Sequence, residues 1–226
     1  MIPKTITAFK KPLFSLLDLK TKYWNEYPYN LGYYHSDGAF SFDCVNLVKA
    51  VLNGWEDKKQ VGYFVRDLSV TGDCNEYGLI MQCQNVSGDF SKLKETSVLY
   101  MDGHIGVFVG LFTRGNKFYN VIECTSNQWS DGVICSYIDE TGRRLKYKGS
   151  SDSCGRWTKH GTMQKWLTYD ESAKPFDHAL ALRLAVKMER GDFGNNPQRK
   201  ETVTKKYGAD YYTAAQDIIN YLYGKY

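Results

Sequence analysis

The stretch from Val98 to Ile138 constrains the fold more than any other part of the chain. Four apolar segments, Val98 to Met101, Ile105 to Phe112, Phe118 to Glu123 and Gly132 to Ile138, follow one another with short breaks. Two of the breaks are turn signals, Asp102-Gly103 and Arg114-Gly115-Asn116. Strand-like segments this close in sequence satisfy their backbone N–H and C=O groups by pairing as antiparallel hairpins. Such a sheet needs a partner over its apolar face. Residues 44 to 53 supply one, because Val45, Leu47, Val48, Val51 and Leu52 fall at helical spacing and the run stops at Gly54. Asp43 stands where a carboxylate caps the first free N–H groups of that helix. The expected class is therefore α+β, a helix packed on an antiparallel sheet.

Outside this frame, Pro12 to Lys20 carries a short apolar cluster and reads as a helix, whereas Tyr23 to Ser41, rich in Tyr, Gly, Asn and Asp, reads as a loop able to wall a groove. Asp170 to Pro175 is a polar connector. Beyond it lie three amphipathic segments. The first aligns Ala181, Leu184, Ala185 and Met188, and Gly191 ends it. The second opens with Asn196-Pro197 and ends at Gly208, and the third aligns Ala215, Ile218, Ile219 and Leu222. The predicted organisation is an α+β domain over residues 1–172 and a small three-helix bundle over 178–226.

Charge excludes some functions. The net charge of +4 is concentrated at the C-terminal end, where residues 174 to 226 hold nine basic and six acidic side chains. That excess suits an anionic surface but is too weak and interspersed for nucleic acid. No apolar run reaches the length of a membrane span, and the opening Met-Ile-Pro-Lys-Thr lacks the pattern of a secretory signal. The reading is a protein made in the cytoplasm without membrane insertion. The 18 Tyr, 11 Phe and 5 Trp suit grooves that grip sugars and peptides. Six cysteines, Cys44, Cys74, Cys83, Cys124, Cys135 and Cys154, show no metal-ligand spacing and default to free thiols, so neither a metal nor an organic cofactor is implied.

One thiol has a visible route to reactivity. Cys44 sits at a predicted helix start, where the helix dipole or a nearby imidazolium lowers a thiol pKa from about 8.5 toward the range of about 3.5 to 7.5. His104 follows the Asp102-Gly103 turn and opens a strand whose glycines leave room for a substrate backbone. A general base also needs an orienting partner. Hairpin geometry puts that partner at or near Glu123 to Asn127, a window containing Glu123, Thr125 and Asn127. Glu123 is favoured because a carboxylate also stabilises the imidazolium.

Three blocks, Phe42-Asp43-Cys44-Val45-Asn46-Leu47-Val48, Gly103-His104-Ile105-Gly106-Val107 and Val121-Ile122-Glu123-Cys124-Thr125, resemble in order and spacing the motifs of NlpC-type papain-like peptidases of phage endolysins. Asn46 stands where that family often has Gly, and Glu123 where His, Asn or Gln is common, although related phage amidases have Glu. The resemblance implies that Cys44 attacks an amide carbonyl, His104 is the base and Glu123 orients it. Trp157-Thr158-Lys159-His160-Gly161 resembles a further segment of those enzymes, which implies Trp157 as a groove residue.

Gly194-Asn195, Arg199, Gly208, Asp210, Tyr211, Tyr212, Gln216 and Asn220 resemble the Cpl-seven-type wall-binding repeat of phage lysins, with the span from Gly208 to Gln216 a residue longer than usual. That resemblance implies Arg199 pairing with a stem-peptide carboxylate and Tyr212 stacking on a sugar. Together the two imply a bacteriolytic hydrolase acting on Gram-positive peptidoglycan after release from the host, as an N-acetylmuramoyl-L-alanine amidase or a stem endopeptidase. A non-catalytic wall-binding protein and a papain-like acyltransferase are the rival readings.

Overall fold

The computed structural model describes residues 4–169 and 178–223. By chain contacts the protein divides into two compact units: Met1–Gly110 with Tyr119–Glu171, and Leu111–Phe118 with Ser172–Tyr226. The predicted connector at Asp170 to Pro175, and with it the boundary between 172 and 178, lies outside the described residues.

In chain order the first unit begins with β1 (Lys4–Thr5), α1 (Ile6–Leu16), β2 (Thr21–Tyr23), β3 (Leu31–Tyr34), β4 (Phe40–Phe42), α2 (Cys44–Leu52), α3 (Glu76–Gln82) and β5 (Gln84–Ser87). There follow β6 (Ser97–Met101), β7 (His104–Arg114), β8 (Lys117–Thr125), β9 (Gly132–Ile138), β10 (Arg143–Leu145), β11 (Ser153–Arg156), β12 (Lys159–Thr162) and β13 (Leu167–Thr168). Eight of the strands make one sheet in the order β11-β10-β9-β8-β7-β6-β12-β5. The pairs β6/β7 and β8/β9 are antiparallel, as are β12 with both of its neighbours and β10 with both of its own. The chain is thus a mixed α and β fold with a large antiparallel sheet, as the turn-punctuated segments predict.

Every residue of α2 is buried, so its one charged side chain needs a partner. Lys49 is 2 % exposed, and its Nζ donates to Asp73 Oδ1 at 2.7 Å and to the Cys74 carbonyl at 3.2 Å. The Asp43 cap also forms: its Oδ1 accepts the Asn46 N–H at 2.7 Å. Such a cap contributes about 1 kcal/mol.

Two expectations fail here. The segment read as loop, Tyr23 to Ser41, carries a three-stranded sheet in the order β2-β4-β3, with β2 parallel and β3 antiparallel to β4. Its strands are three or four residues long and separated by turn residues, too short for an alternating pattern to stand out. The helix read over Pro12 to Lys20 instead spans Ile6–Leu16, capped by the Thr5 side chain on the Ala8 N–H, and Pro12 lies inside it.

The second unit contains α4 (His178–Glu189), α5 (Gln198–Tyr207) and α6 (Ala209–Leu222). Leu184, Ala185, Met188, Val203, Ala215 and Ile219 form a common core, and α6 packs on both α4 and α5. Pro197 stands at the cap position before α5 rather than in its first turn, and makes no side-chain cap bond. Among the described residues no helix is long and apolar enough to cross a membrane.

Candidate active site

The capping geometry at the start of α2 places the sulfur. Asp43 is held by three bonds, the Asn46 N–H on Oδ1 and the side-chain amides of Asn46 at 2.5 Å and Asn30 at 3.0 Å on Oδ2. Asn46, where the resembled family often has Gly, therefore braces the cap. Cys44, the first helical residue, is 8 % exposed, and its sulfur meets the backbone N–H of Ile105 and of Val45. Ile105 directly follows His104, so the sulfur reaches the strand that begins with the imidazole.

The expected fall in the Cys44 pKa does not occur. Burial, and after it the charge of Asp43, push the thiol up to about 12, outweighing the two N–H donors. The same carboxylate that caps the helix opposes ionisation of the sulfur beside it. The resting group is a thiol.

His104 is positioned by the β6/β7 hairpin, in which Met101 pairs with it across a two-residue turn. Gly103 takes φ +72° there, a conformation costly for any residue with a Cβ. His104 Nε2 lies 2.5 Å from Glu123 Oε2. Glu123 is fully buried, yet it is held well below the usual carboxylate range, because the His104 hydrogen bond and the Arg144 charge outweigh the burial. With the carboxylate ionised, Nε2 must carry the proton of that bond, which leaves Nδ1 as the proton acceptor of the neutral ring.

Four further contacts fix the carboxylate. Arg144 Nε lies 3.0 Å from Oε1 and 2.9 Å from Oε2, its Nη2 lies 2.8 Å from Oε2, and the Ser136 hydroxyl donates to Oε1. Ser136 comes from β9 and Arg144 from β10, so three neighbouring strands converge on one side chain. The guanidinium lies 4.9 Å from the Trp129 ring and 5.9 Å from the Trp157 ring, while the Trp157 ring stacks on His104 at 5.6 Å and 22°.

The alternatives to Glu123 are placed elsewhere. Thr125 donates its hydroxyl to the Gln128 and Ser130 carbonyls, and Asn127 is exposed in the following turn at φ +63°. Trp157 is fully buried behind the imidazole, which corrects its assignment as a groove residue: it offers no face to a ligand. Gly106 is corrected in the same way. A Cβ there would stand 3.1 Å from Trp157 Cη2 and 3.2 Å from Val121 Cγ1, so the space a side chain would need is occupied by this ring and not by substrate.

In the second unit, Arg199 donates from Nη2 to Gln216 Oε1 at 3.3 Å, and Tyr212 donates to Asn196 Oδ1 at 3.2 Å and to Gln216 Oε1 at 3.5 Å. Arg199 Nε is enclosed without a protein acceptor. Sequence reasoning missed Arg144, Ser136 and Trp129, which lie 13 or more positions from the motif residues they serve or stack on their partner across a turn. It missed Tyr23 as well, whose phenol, raised to about 12 by burial and then by Cys44 and Asp43, stands within electrostatic reach of the sulfur. All six cysteines are free thiols, and among the described residues no group of three His, Cys, Asp or Glu side chains is arranged to hold a metal. Compared with protein-family models, with curated proteins and with solved structures, the chain matches none.

Proposed function

We propose that this protein is a cysteine-dependent peptidoglycan hydrolase of the NlpC papain-like type, cutting an amide bond in the peptide stem of Gram-positive cell walls. The observation that carries the reading is His104 anchored through Nε2 on the buried Glu123 carboxylate, on the strand whose next N–H meets the Cys44 sulfur. A base held by a third group, with a thiol within reach, is the arrangement amide cleavage requires.

The resting thiol sets the order of events. Cys44 passes its proton to His104 Nδ1 as the sulfur attacks the carbonyl carbon, and a C–S bond forms. The oxyanion is met by the backbone N–H of Cys44 in the open first turn of α2, where N–H groups have no partner within the helix. His104, now an imidazolium stabilised by Glu123, gives its proton to the leaving amine as the C–N bond breaks. Water, deprotonated by His104, then hydrolyses the thioester and returns the thiol.

Residues 178–226 are read as a three-helix wall-binding module of the Cpl-seven type. Its support is the Arg199, Tyr212, Gln216 cluster, with an enclosed guanidinium N–H that lacks an acceptor and a phenol beside it. A muropeptide supplies both complements, a carboxylate for the Arg and a sugar face for the Tyr.

Digestion of purified sacculi followed by mass spectrometry tests the reading. A new amino terminus at L-Ala marks an amidase and a new end within the stem an endopeptidase. Release of fragments by Cys44→Ala at the wild-type rate would falsify the mechanism. The buried, protonated thiol also favours a second reading, a wall-binding protein without activity, and zymography with wild-type protein separates the two.

A further inference from the structure

Glu123 has more holding it than orientation of an imidazole requires. A neutral amide would fix the ring as well, and a lone buried carboxylate next to His104 carries a penalty: its charge favours the imidazolium and so disables the base at neutral pH. We propose that Arg144 is a positioning residue of this site that neutralises Glu123 and so keeps His104 available as a base near neutral pH. The inference rests on the hydrolase reading for its consequence, but not for its physical content.

The geometry is specific. Arg144 is 2 % exposed and lies against both carboxylate oxygens through Nε, with Nη2 on Oε2, the oxygen that accepts the His104 proton. A planar fork matched to a carboxylate holds it in plane, which Lys as a point charge does not. The ring faces of Trp129 and Trp157 flank the guanidinium, and Trp157 also backs His104, so one indole contacts both partners of the carboxylate. The groups that act on the buried carboxylate are His104 from β7 and Arg144 from β10. Cys44, Asp43 and Asp131 act on Cys124, the next residue of β8. Arg144 is the cation that opposes the pull of Glu123 on the imidazole.

The sign follows. With Arg144 present, the carboxylate charge is balanced by a guanidinium that never gives up its proton. With Arg144→Gln, the whole carboxylate charge falls on His104, its pKa rises, and the acidic limb of the rate profile moves to higher pH.

The test is an NMR titration of the His104 imidazole in the full chain, assigned by comparison with His104→Ala, beside the pH profile of sacculus hydrolysis. In Arg144→Gln we expect His104 to titrate at least about one pH unit higher than in wild type, with the hydrolysis limb moving by the same amount. Arg144→Lys should move His104 by less than half as much while lowering kcat about tenfold at unchanged KM, because charge is kept and the fork is lost. If His104 titrates at the wild-type pH in folded Arg144→Gln, Arg144 is merely structural and the proposal fails. If Arg144→Gln does not fold, the titration of His104 in Arg144→Met decides: a wild-type midpoint there overturns the proposal. The NMR readout is independent of catalysis, so a protein that releases nothing from sacculi would sink the hydrolase reading and leave this one standing.

Discussion

The polar networks around Glu123 and around Gln216 use similar groups to different ends. Each joins an Arg to an acceptor side chain beside an aromatic ring. Around Glu123 the contacts to His104 and Arg144 run from 2.5 to 3.0 Å, and the carboxylate is fully buried. Around Gln216 the bonds from Arg199 and Tyr212 run from 3.3 to 3.5 Å, both partners are half-exposed, and Arg199 Nε is unmatched. A short network built on a buried ion pair resists rearrangement and suits a group that must keep one geometry. A longer one, in which the guanidinium meets only a neutral amide oxygen, exchanges partners at less cost, which suits ligand capture.

The largest effect should come from the nucleophile. Cys44→Ala is expected to remove wall lysis altogether while leaving thermal unfolding and wall binding near wild type, since Ala fits a first helical turn. Turbidity clearance and melting curves measure the two halves. Retained lysis would show that the tight network serves only stability.

His104→Ala should cost about 10²- to 10⁴-fold in rate, the usual cost of losing a general acid or base. Glu123→Gln should cost less, since the amide still accepts the Nε2 proton, and exposed Asn127→Ala should cost nothing. Glu123 also links activity to acid stability. Its carboxyl titrates below its ordinary value of 4.5 in the folded state, so the ionised group stabilises the fold fully above that pH. The contribution is lost as the pH falls through about 2. Glu123→Gln should flatten this acid limb in a pH series of denaturant melts, and an unchanged limb would mean that the network contributes no charge-dependent stability.

How far each network could be read in the sequence also differs. The Asp43 cap, the helix beginning at Cys44 and the four strands from 97 to 138 were legible because cap chemistry and strand periodicity are local signals. Glu123 was legible within a window of five residues, since a hairpin fixes approximate opposition but not register. Arg144 was not, because no local pattern marks a basic residue on a three-residue strand as buried. The Trp157 segment was singled out but given the wrong role. Its sequence shows an aromatic near the site, whereas which side of the imidazole it occupies is set by the Thr158 N–H on the Tyr100 carbonyl and the Trp157 N–H on the Gly142 carbonyl.

Alkylation tests the resting state of the sulfur. Because burial and Asp43 hold the Cys44 thiol near 12, its iodoacetamide labelling rate should climb about tenfold per pH unit from 7 to 9, followed by peptide mass spectrometry. A rate already flat above pH 6 would reveal a standing thiolate–imidazolium pair and reverse the order of events proposed for attack.

The smallest effects belong to the looser network, and there the comparison is sharpest. Arg199→Ala in the full chain should weaken co-sedimentation with purified walls several-fold, and Tyr212→Ala by a similar factor, while each lowers stability by only about 1 kcal/mol, the scale of one neutral hydrogen bond. Both side chains bond to the same Gln216 oxygen, so their losses should not add: once one is gone, the other holds that oxygen alone. Hydrolysis of a small soluble muropeptide by the same variants should stay at the wild-type rate, because neither residue belongs to the relay at Cys44. The contrast with Glu123→Ala is direct. Removing that carboxylate strands Arg144 in the core and should cost about 3 to 5 kcal/mol of stability, several times the loss at Arg199. Equal stability losses at the two sites would mean that the long bonds around Gln216 carry structural weight, and additive binding losses would mean that Arg199 and Tyr212 meet the wall separately rather than as one cluster.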